Sequence, residues 1–581
     1  MNINAAGKAI GLVFNMLDAT KPTAAPVAFK PQKPEFKPSG ERFFTRVSPE
    51  ECGVGSEAVC DYVRALAADE SVGLQTVMLL RGDRVFFEAA ADDDSLSLHK
   101  STFSECKSIV SLAIGKLYTD GLLDLDEKLA DIFPQKTGAM SLMRLKNVTV
   151  RHLLNMTAAV EFNELEAIVS TDWVKGFMRS SFVGEPGKTF FYNSLNTYML
   201  AAAVKEKTGK TLTEYLDETI FGELGITDYY WETCPMGNAK GGWGLYILPE
   251  DAAKLGVFVL NGGVWNGKRI ISEEYIEKAT SAQAIAPKKC GDYNYGYQFW
   301  CGRTVNSFLM NGMLGQNLLC FRDSGIIIVS NCSNGDNFQQ NAFFRITAKH
   351  FNKSFPASLP FNGESERRIN CLKRELREGF PREKLWRAET KAPEYAECLR
   401  LLAGKRFRAD GASAASAGFE PLFMQMVQNN YVKGLKEIDF EDRNGVLYVV
   451  FRESEDVHEI PVPENGAGSA TVRFGGEPFL VTARGRFSET EDGIPVFTLK
   501  CAFPETPYKR VYKFHFGAET RLLMTETPGV SYAKVVPQLM RTMAEYNHIA
   551  GSVLSKIADE HITALTEYAF EPKVILKEMN D

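Results

Sequence analysis

Phe103-Ser104-Glu105-Cys106-Lys107 opens the stretch on which the reading of this sequence turns. Behind it, apolar residues recur at Ile109, Val110, Leu112, Ala113, Ile114, Leu117 and Tyr118, the three-and-four spacing of a buried helix face, and Gly121 supplies the stop. A serine and a lysine three apart on a helix share one face, so the Lys107 amine can lie near the Ser104 hydroxyl. A serine hydroxyl attacks poorly unless a neighbouring base takes its proton. A lysine can be that base where burial or nearby cations lower its pKa. At the start of a helix the dipole also favours developing negative charge. The same Ser-x-x-Lys spacing recurs at Ser531 and Lys534, but beside a Pro-Gly loop and with no preceding hairpin; we read it as chance.

Outward from this helix the pattern is mixed. Before it, Leu74–Leu80 and Val85–Glu88 flank Arg81-Gly82-Asp83-Arg84, two β-rich runs around a turn, which reads as a hairpin. After it, residues 149–260 look mostly helical, with loops at Glu185-Pro186-Gly187 and Gly241-Gly242-Trp243-Gly244. Short strands return over 306–331. Strands, then helices, then strands predict one α+β domain whose antiparallel sheet, flanked by helices and a helical subdomain, is completed from both ends of the segment. From about 403 to 530 the texture changes to short β runs with turns, which predicts a separate all-β barrel-like domain. The expected division is an N-terminal helix and Pro-rich tether over 1–42, the α+β domain over 43–360, a charged helical connector over 361–402, the β domain over 403–532 and a helical tail over 533–581.

The composition narrows the classes. In 581 residues, 66 Lys and Arg stand against 73 Asp and Glu, a net charge of −7. Binding to a phosphate backbone needs a concentrated basic face, so no nucleic-acid partner is expected. No apolar run approaches the ~20 residues of a membrane-spanning helix. The apolar stretch Ala9–Phe14 is short and interrupted, so it reads as a docking helix rather than an export signal. The 11 cysteines are odd in number, scattered and without a Cys-x-x-Cys pair, which suits buried free thiols in a reducing, cytoplasmic compartment. The seven histidines are isolated and no His-Glu-x-x-His occurs, so neither a metal nor another cofactor is expected.

A third proton-handling group is needed beside Ser104 and Lys107, and Tyr192 in Phe191-Tyr192-Asn193-Ser194 is the candidate: a phenol beside a lysine can relay protons between nucleophile and leaving group. At this point the sequence resembles the serine β-lactamase and penicillin-binding-protein superfamily, in its class C β-lactamase and esterase branch. The likeness runs from about 45 to 350. It rests on Phe103–Lys107 with Gly121-Leu122-Leu123-Asp124-Leu125-Asp126 and Ile132-Phe133-Pro134, on Val148–Thr157, on Glu185–Ser194, and on Gly241–Tyr246 with Leu260–Trp265, all in the family's order. The β domain resembles lipocalin-like appendages of some relatives.

The resemblance implies acyl transfer to Ser104, with Lys107 and Tyr192 sharing the proton traffic. It places the oxyanion between the backbone N–H groups of Ser104 and the strand near Met313, with Gly312 and Ser194 lining the substrate. His152 is structural in this reading. Two departures stand out. Ser194 replaces the asparagine of the common Tyr-x-Asn, and Met310-Asn311-Gly312 carries no cation where many members have Lys-Thr-Gly. Both shift the expectation toward the esterase and amide-hydrolase members, including nylon-oligomer hydrolases. The expected function is hydrolysis of ester or amide bonds of small molecules or short peptides. The alternatives are a D-amino-acid peptidase, a weak β-lactamase, or an inactive binding protein; a homo-oligomer is left open. Glu161, Glu164 and Glu166 fall in a loop beside the implied site, where they read as a solvated acidic loop, with attraction of a substrate ammonium as the second reading.

Overall fold

The computed structural model describes residues 24–30, 32–91, 94–136, 145–334, 342–361, 363–378, 395–411, 434–454, 456–527 and 559–579, with single residues or short pieces between 8 and 16 and between 414 and 431. Most of the expected N-terminal helix, residues 533–558 of the tail and the Ser531–Lys534 pair lie outside them. The chain divides into two compact units, one built from residues 36–378 and one from 3–35 with 379–581. Among the described residues no helix is long and apolar enough to cross a membrane.

The first unit is organised by an eight-stranded sheet: β1 (Thr45–Arg46), β2 (Leu74–Arg81), β3 (Arg84–Ala90), β4 (Tyr293–Tyr295), β5 (Trp300–Gly302), β6 (Ser307–Gly312), β7 (Gln316–Phe321) and β8 (Ile326–Cys332). The order is β1-β3-β2-β8-β7-β6-β5-β4, antiparallel throughout except for β1 on β3. The early hairpin β2–β3 turns at Gly82-Asp83 and docks on the late strand β8, with Leu79 opposite Ile328. The runs Val77–Leu80 of β2 and Ile326–Val329 of β8 are continuously apolar and buried, as strands covered on both faces are. Helix α1 (Ser56–Ala68), α2 (Cys106–Thr119), α3 (Ser194–Thr208), α4 (Pro249–Leu260), α5 (Ala342–Phe351) and α6 (Gly363–Glu378) supply the cover. Gly256 of α4 lies against Leu318 and Ile327, a closeness that leaves no slack for a Cβ. Helices α5 and α6 pack on α1, so the first half of the expected connector belongs to this unit. The sheet-and-helix architecture is the α+β arrangement read from the sequence.

The second unit is a ten-stranded antiparallel sheet curled into a nearly closed barrel: β9 (Arg406–Asp410), β10 (Leu435–Arg443), β11 (Val446–Glu453), β12 (Val457–Val462), β13 (Gly468–Phe474), β14 (Glu477–Glu489), β15 (Pro495–Ala502), β16 (Lys509–Phe516), β17 (Thr520–Thr527) and β18 (Lys573–Glu578). The order runs β12-β11-β10-β9-β18-β17-β16-β15-β14-β13. The two end strands meet at Gly468, where a Cβ would fall 1.9 Å from the Pro461 carbonyl oxygen. Residues 417–422 fill the interior. The Phe419 ring stacks 5.7 Å from Tyr512, its N–H donates to Glu453, the Leu422 N–H donates to Glu526 at 2.6 Å, and Arg510 donates to the Gly418 carbonyl at 2.7 Å.

Two expectations are corrected here. The tail is not helical to its end: after the helix Asp559–Phe570, Lys573–Glu578 is a barrel strand between β9 and β17, because alternating Val574 and Leu576 bury themselves in its core. The Pro-rich tether is not merely a spacer either. Lys33 is buried in this unit, its ammonium 2.7 Å from Glu505 and its N–H donating to Glu477 at 2.8 Å.

Candidate active site

Ser104 does not sit in the long helix but in a single 3-10 turn, Phe103–Glu105, just ahead of α2. Two local features set the turn. The preceding residues Lys100–Ser101 pair with the short strand Leu245–Ile247, and the Thr102 N–H donates to the Leu245 carbonyl at 2.9 Å. Phe103 then takes a left-handed conformation, φ +46°, with its ring buried. A bulky residue in that region stores strain that the surroundings must over-determine, and such residues cluster at functional sites. The strained turn leaves the Ser104 side chain half-exposed at the head of an apolar helix.

Lys107 follows on the same face and is 1 % exposed. Its Nζ lies 2.7 Å from Ser104 Oγ and donates to the Gly242 carbonyl at 2.7 Å. Burial pushes its pKa down to about 8, against upward pulls from the Cys106 and Glu164 sides. With that value about one lysine in ten is neutral at pH 7, and the neutral amine can accept the Ser104 proton across the same contact. The Gly241-Gly242 pair makes the second contact reachable: a Cβ on Gly242 would meet the Ser194 Cβ at 2.6 Å. Sequence reading marked that pair as a loop and as part of the family likeness, and missed its part in holding Lys107.

Tyr192 joins from the segment before α3. Asn193 caps that helix, its Oδ1 accepting the Leu195 N–H at 2.8 Å, while its Nδ2 donates to the Val160 and Phe162 carbonyls at 3.0 and 2.8 Å. So anchored, the Tyr192 ring stands beside the pair, with the Lys107 ammonium 5.2 Å from its centroid. Burial holds the phenol above its usual pKa, the Ser104 hydroxyl pulls the other way, and at neutral pH Tyr192 keeps its proton. Its ring stacks 5.5 Å from Trp300 and stands edge-on to Tyr295, an aromatic wall that no sequence motif announced.

The other expected residues fall as follows. Gly312 ends β6 against the strap that leads to Ser104, where a Cβ would stand 2.1 Å from the Thr102 carbonyl oxygen. Met313 comes next, half-buried, followed by Leu314 at φ +63°. Among the described residues neither the Ser104 nor the Met313 N–H donates to any group. Ser194 is buried at the start of α3, its N–H donating to Glu164 Oε1 at 3.0 Å. Met310 is fully buried within β6. His152 is held in its own helix start, Nδ1 accepting the Thr149 N–H at 3.4 Å. Cys106 donates to the Phe103 and Gly241 carbonyls, and burial pushes its thiol up to about 12. The acidic loop is not solvated: Glu161 and Glu166 are buried, Glu166 reaching back to the Asn163 N–H, and Glu164 is half-buried. The eleven cysteines are unpaired, and among the described residues no group of three or more His, Cys, Asp or Glu is placed to hold a metal.

A sheet completed from both ends of its segment, with a Ser-x-x-Lys turn and a tyrosine converging beside it, is a β-lactamase-like arrangement. The Beta-lactamase family model matches residues 62–346, just under half of the chain, and this segment is consistent with the serine β-lactamase and penicillin-binding-protein superfamily. Among curated proteins it is 25 % identical over 277 residues to a 6-aminohexanoate-dimer hydrolase of Paenarthrobacter ureafaciens, covering 42 % of this chain and 68 % of that one. An uncharacterized protein of Alkalihalophilus pseudofirmus is 24 % identical over 199 residues, 31 % of this chain and 53 % of the other. Among solved structures, a penicillin binding protein from Bacillus halodurans superposes at a TM-score of 0.40 with 19 % identity, over 49 % of this chain and 98 % of its own.

Proposed function

We propose that this chain is a serine hydrolase that cleaves ester or amide bonds of small molecules or short peptides through an acyl-enzyme on Ser104. The observation that carries the reading is the pairing of Ser104 Oγ with a buried Lys107 amine 2.7 Å away, pKa down to about 8. As Ser104 Oγ bonds to the carbonyl carbon, its proton passes to neutral Lys107. Tyr192 hands a proton to the leaving oxygen or nitrogen as the bond from carbon breaks, and is recharged from Lys107. Water then attacks the acyl carbon, its proton retracing the route, and frees the acid with Ser104 restored. The oxyanion in both steps lies between the Ser104 and Met313 N–H groups, and loss of one such donor costs about 3–4 kcal/mol of transition-state stabilisation. A cation at Met310, which a penicillin or D-alanyl carboxylate would use, is missing and the residue is buried, so carboxylate-bearing β-lactams rank below simple esters.

Intact-mass analysis after treatment with a fluorophosphonate tests the nucleophile. One adduct is expected, absent in Ser104→Ala. Short-chain nitrophenyl esters are expected to turn over faster than a chromogenic cephalosporin, and Ser104→Ala to lose the rate by about six orders of magnitude. Folded protein without an adduct would favour a binding role instead.

A further inference from the structure

Glu164 is the acid that the hydrolytic reading leaves unused. It opens the short helix Glu164–Ile168, capped by Asn163, and its Oε1 is fixed by the Ser194 N–H at 3.0 Å. The carboxylate is therefore oriented, not mobile. Among the described residues no group donates to its second oxygen, and no Lys or Arg pairs with it. Its side chain keeps some exposure although its neighbours Glu161, Leu165 and Glu166 are buried. The Ser194 N–H that holds it lies two residues after Tyr192, which places the carboxylate at the edge of the site, and its charge acts on both Lys107 and Tyr192. The Tyr192 ring, with Tyr295 and Trp300 packed against it, offers no counter-charge, and such ring faces favour a cation.

We propose that Glu164 sets the specificity of this site: its carboxylate receives a protonated amine carried by the substrate. The assignment rests on the hydrolase reading and names its substrate class, amino-bearing esters or amides. A second consequence follows from position. An unneutralised carboxylate beside the catalytic lysine favours the charged ammonium and withholds the base. A substrate ammonium seated on Glu164 cancels that field, so the contact that selects the substrate also frees Lys107 to accept the serine proton. The groups facing Lys107 are the Ser104 hydroxyl, the Gly242 carbonyl, the neutral Cys106 thiol, the Tyr192 phenol and Glu164; those facing Glu164 are the Ser194 N–H, Lys107 and Tyr192.

The test uses the full chain and two aryl phosphonates of equal length, one ending in an ammonium and one in a hydroxyl, with the rate of Ser104 modification read by intact mass. The native protein is expected to favour the ammonium probe by about tenfold or more, the usual span for a charge-assisted hydrogen bond. Added salt should erode that preference. Glu164→Gln keeps an oxygen for the Ser194 N–H and removes the charge. It should bring the two probes to near equality and move the acid limb of the hydroxyl-probe pH profile to lower pH. A native protein without preference, a preference indifferent to salt, or one that survives in Glu164→Gln overturns the assignment. The salt arm is read on native protein, so it decides even where the variant does not fold. Ammonium-selective labelling without turnover of any ester or amide would sink the hydrolase reading and leave Glu164 standing. Turnover without selectivity would do the reverse, and no labelling by either probe would remove both.

Discussion

Lys107 and Glu105 show how burial at positions two apart has opposite uses. The lysine is desolvated until its amine titrates near 8, so acylation that needs the neutral amine should rise from pH 6 to a plateau above about 8. A plateau reached only near the ordinary 10.5 would show a solvated lysine and remove its role as base. Glu105 is 4 % exposed, and burial alone pushes its carboxyl up from 4.5 to about 8. The folded chain thus holds a proton that the unfolded chain releases. Between those two values the fold binds more protons, and stability must fall as pH rises. Glu105→Gln removes this slope. Its melting temperature should match the native protein near pH 5 and exceed it by several degrees at pH 8, and a constant offset across that range would refute the assignment. The Ser-x-x-Lys spacing made Lys107 legible in the sequence, because three residues on a helix fix a direction. Nothing local revealed that Glu164 is drawn into the site: three acids within six positions read as solvent-facing, and the packing that half-buries Glu164 comes from the distant start of α3.

At the scale of elements, the site depends on two backbone segments being brought together and kept from colliding. The end of β6 passes the Thr102 strap so closely that only a glycine fits at 312. Gly312→Ala should push the Met313 N–H away from the serine and lower Ser104 acylation by about a hundredfold, in keeping with loss of one oxyanion donor. Gly82→Ala is the control. It sits at the β2–β3 turn with φ +62° and open space around it, so the cost there is backbone strain of about 1 kcal/mol in stability with acylation retained. Equal effects of the two substitutions on acylation would sink the oxyanion assignment. The hairpin, the long helix and the late strands were legible because each carries its own periodicity. The strained Phe103 turn and the Gly242 carbonyl that holds Lys107 were not, since a positive φ at a phenylalanine runs against local preference and is imposed by tertiary packing.

For the whole molecule, the informative feature is that the last strand of the barrel is the last regular element of the chain. Val574-Ile575-Leu576 is a short apolar run between Lys573 and Lys577 that follows a proline, as a short buried strand can, so the signal was present. It was lost among helical residues because six positions are too few to outweigh their context. The buried Lys33 had no such signal, as a lone lysine in a Pro-rich run carries no period. β18 pairs with β9 over Phe407 to Asp410 and with β17 over Thr520 to Leu523, and it buries Val574 and Leu576 between them. Ending the chain at Glu571 would leave both facing edges unpaired and open the barrel wall at its middle. A sheet that is nearly closed has few edges to defend, and two new ones within a curled wall invite pairing with other chains. The shortened protein is therefore expected to lose amide protection along β9 and β17 first, then across the barrel, and to self-associate with rising concentration where the full chain does not change. Hydrogen exchange read strand by strand, beside light scattering, decides it. Protection lost only at the two flanking strands, with no association, would mean that β18 is an appended edge rather than the closure of the barrel.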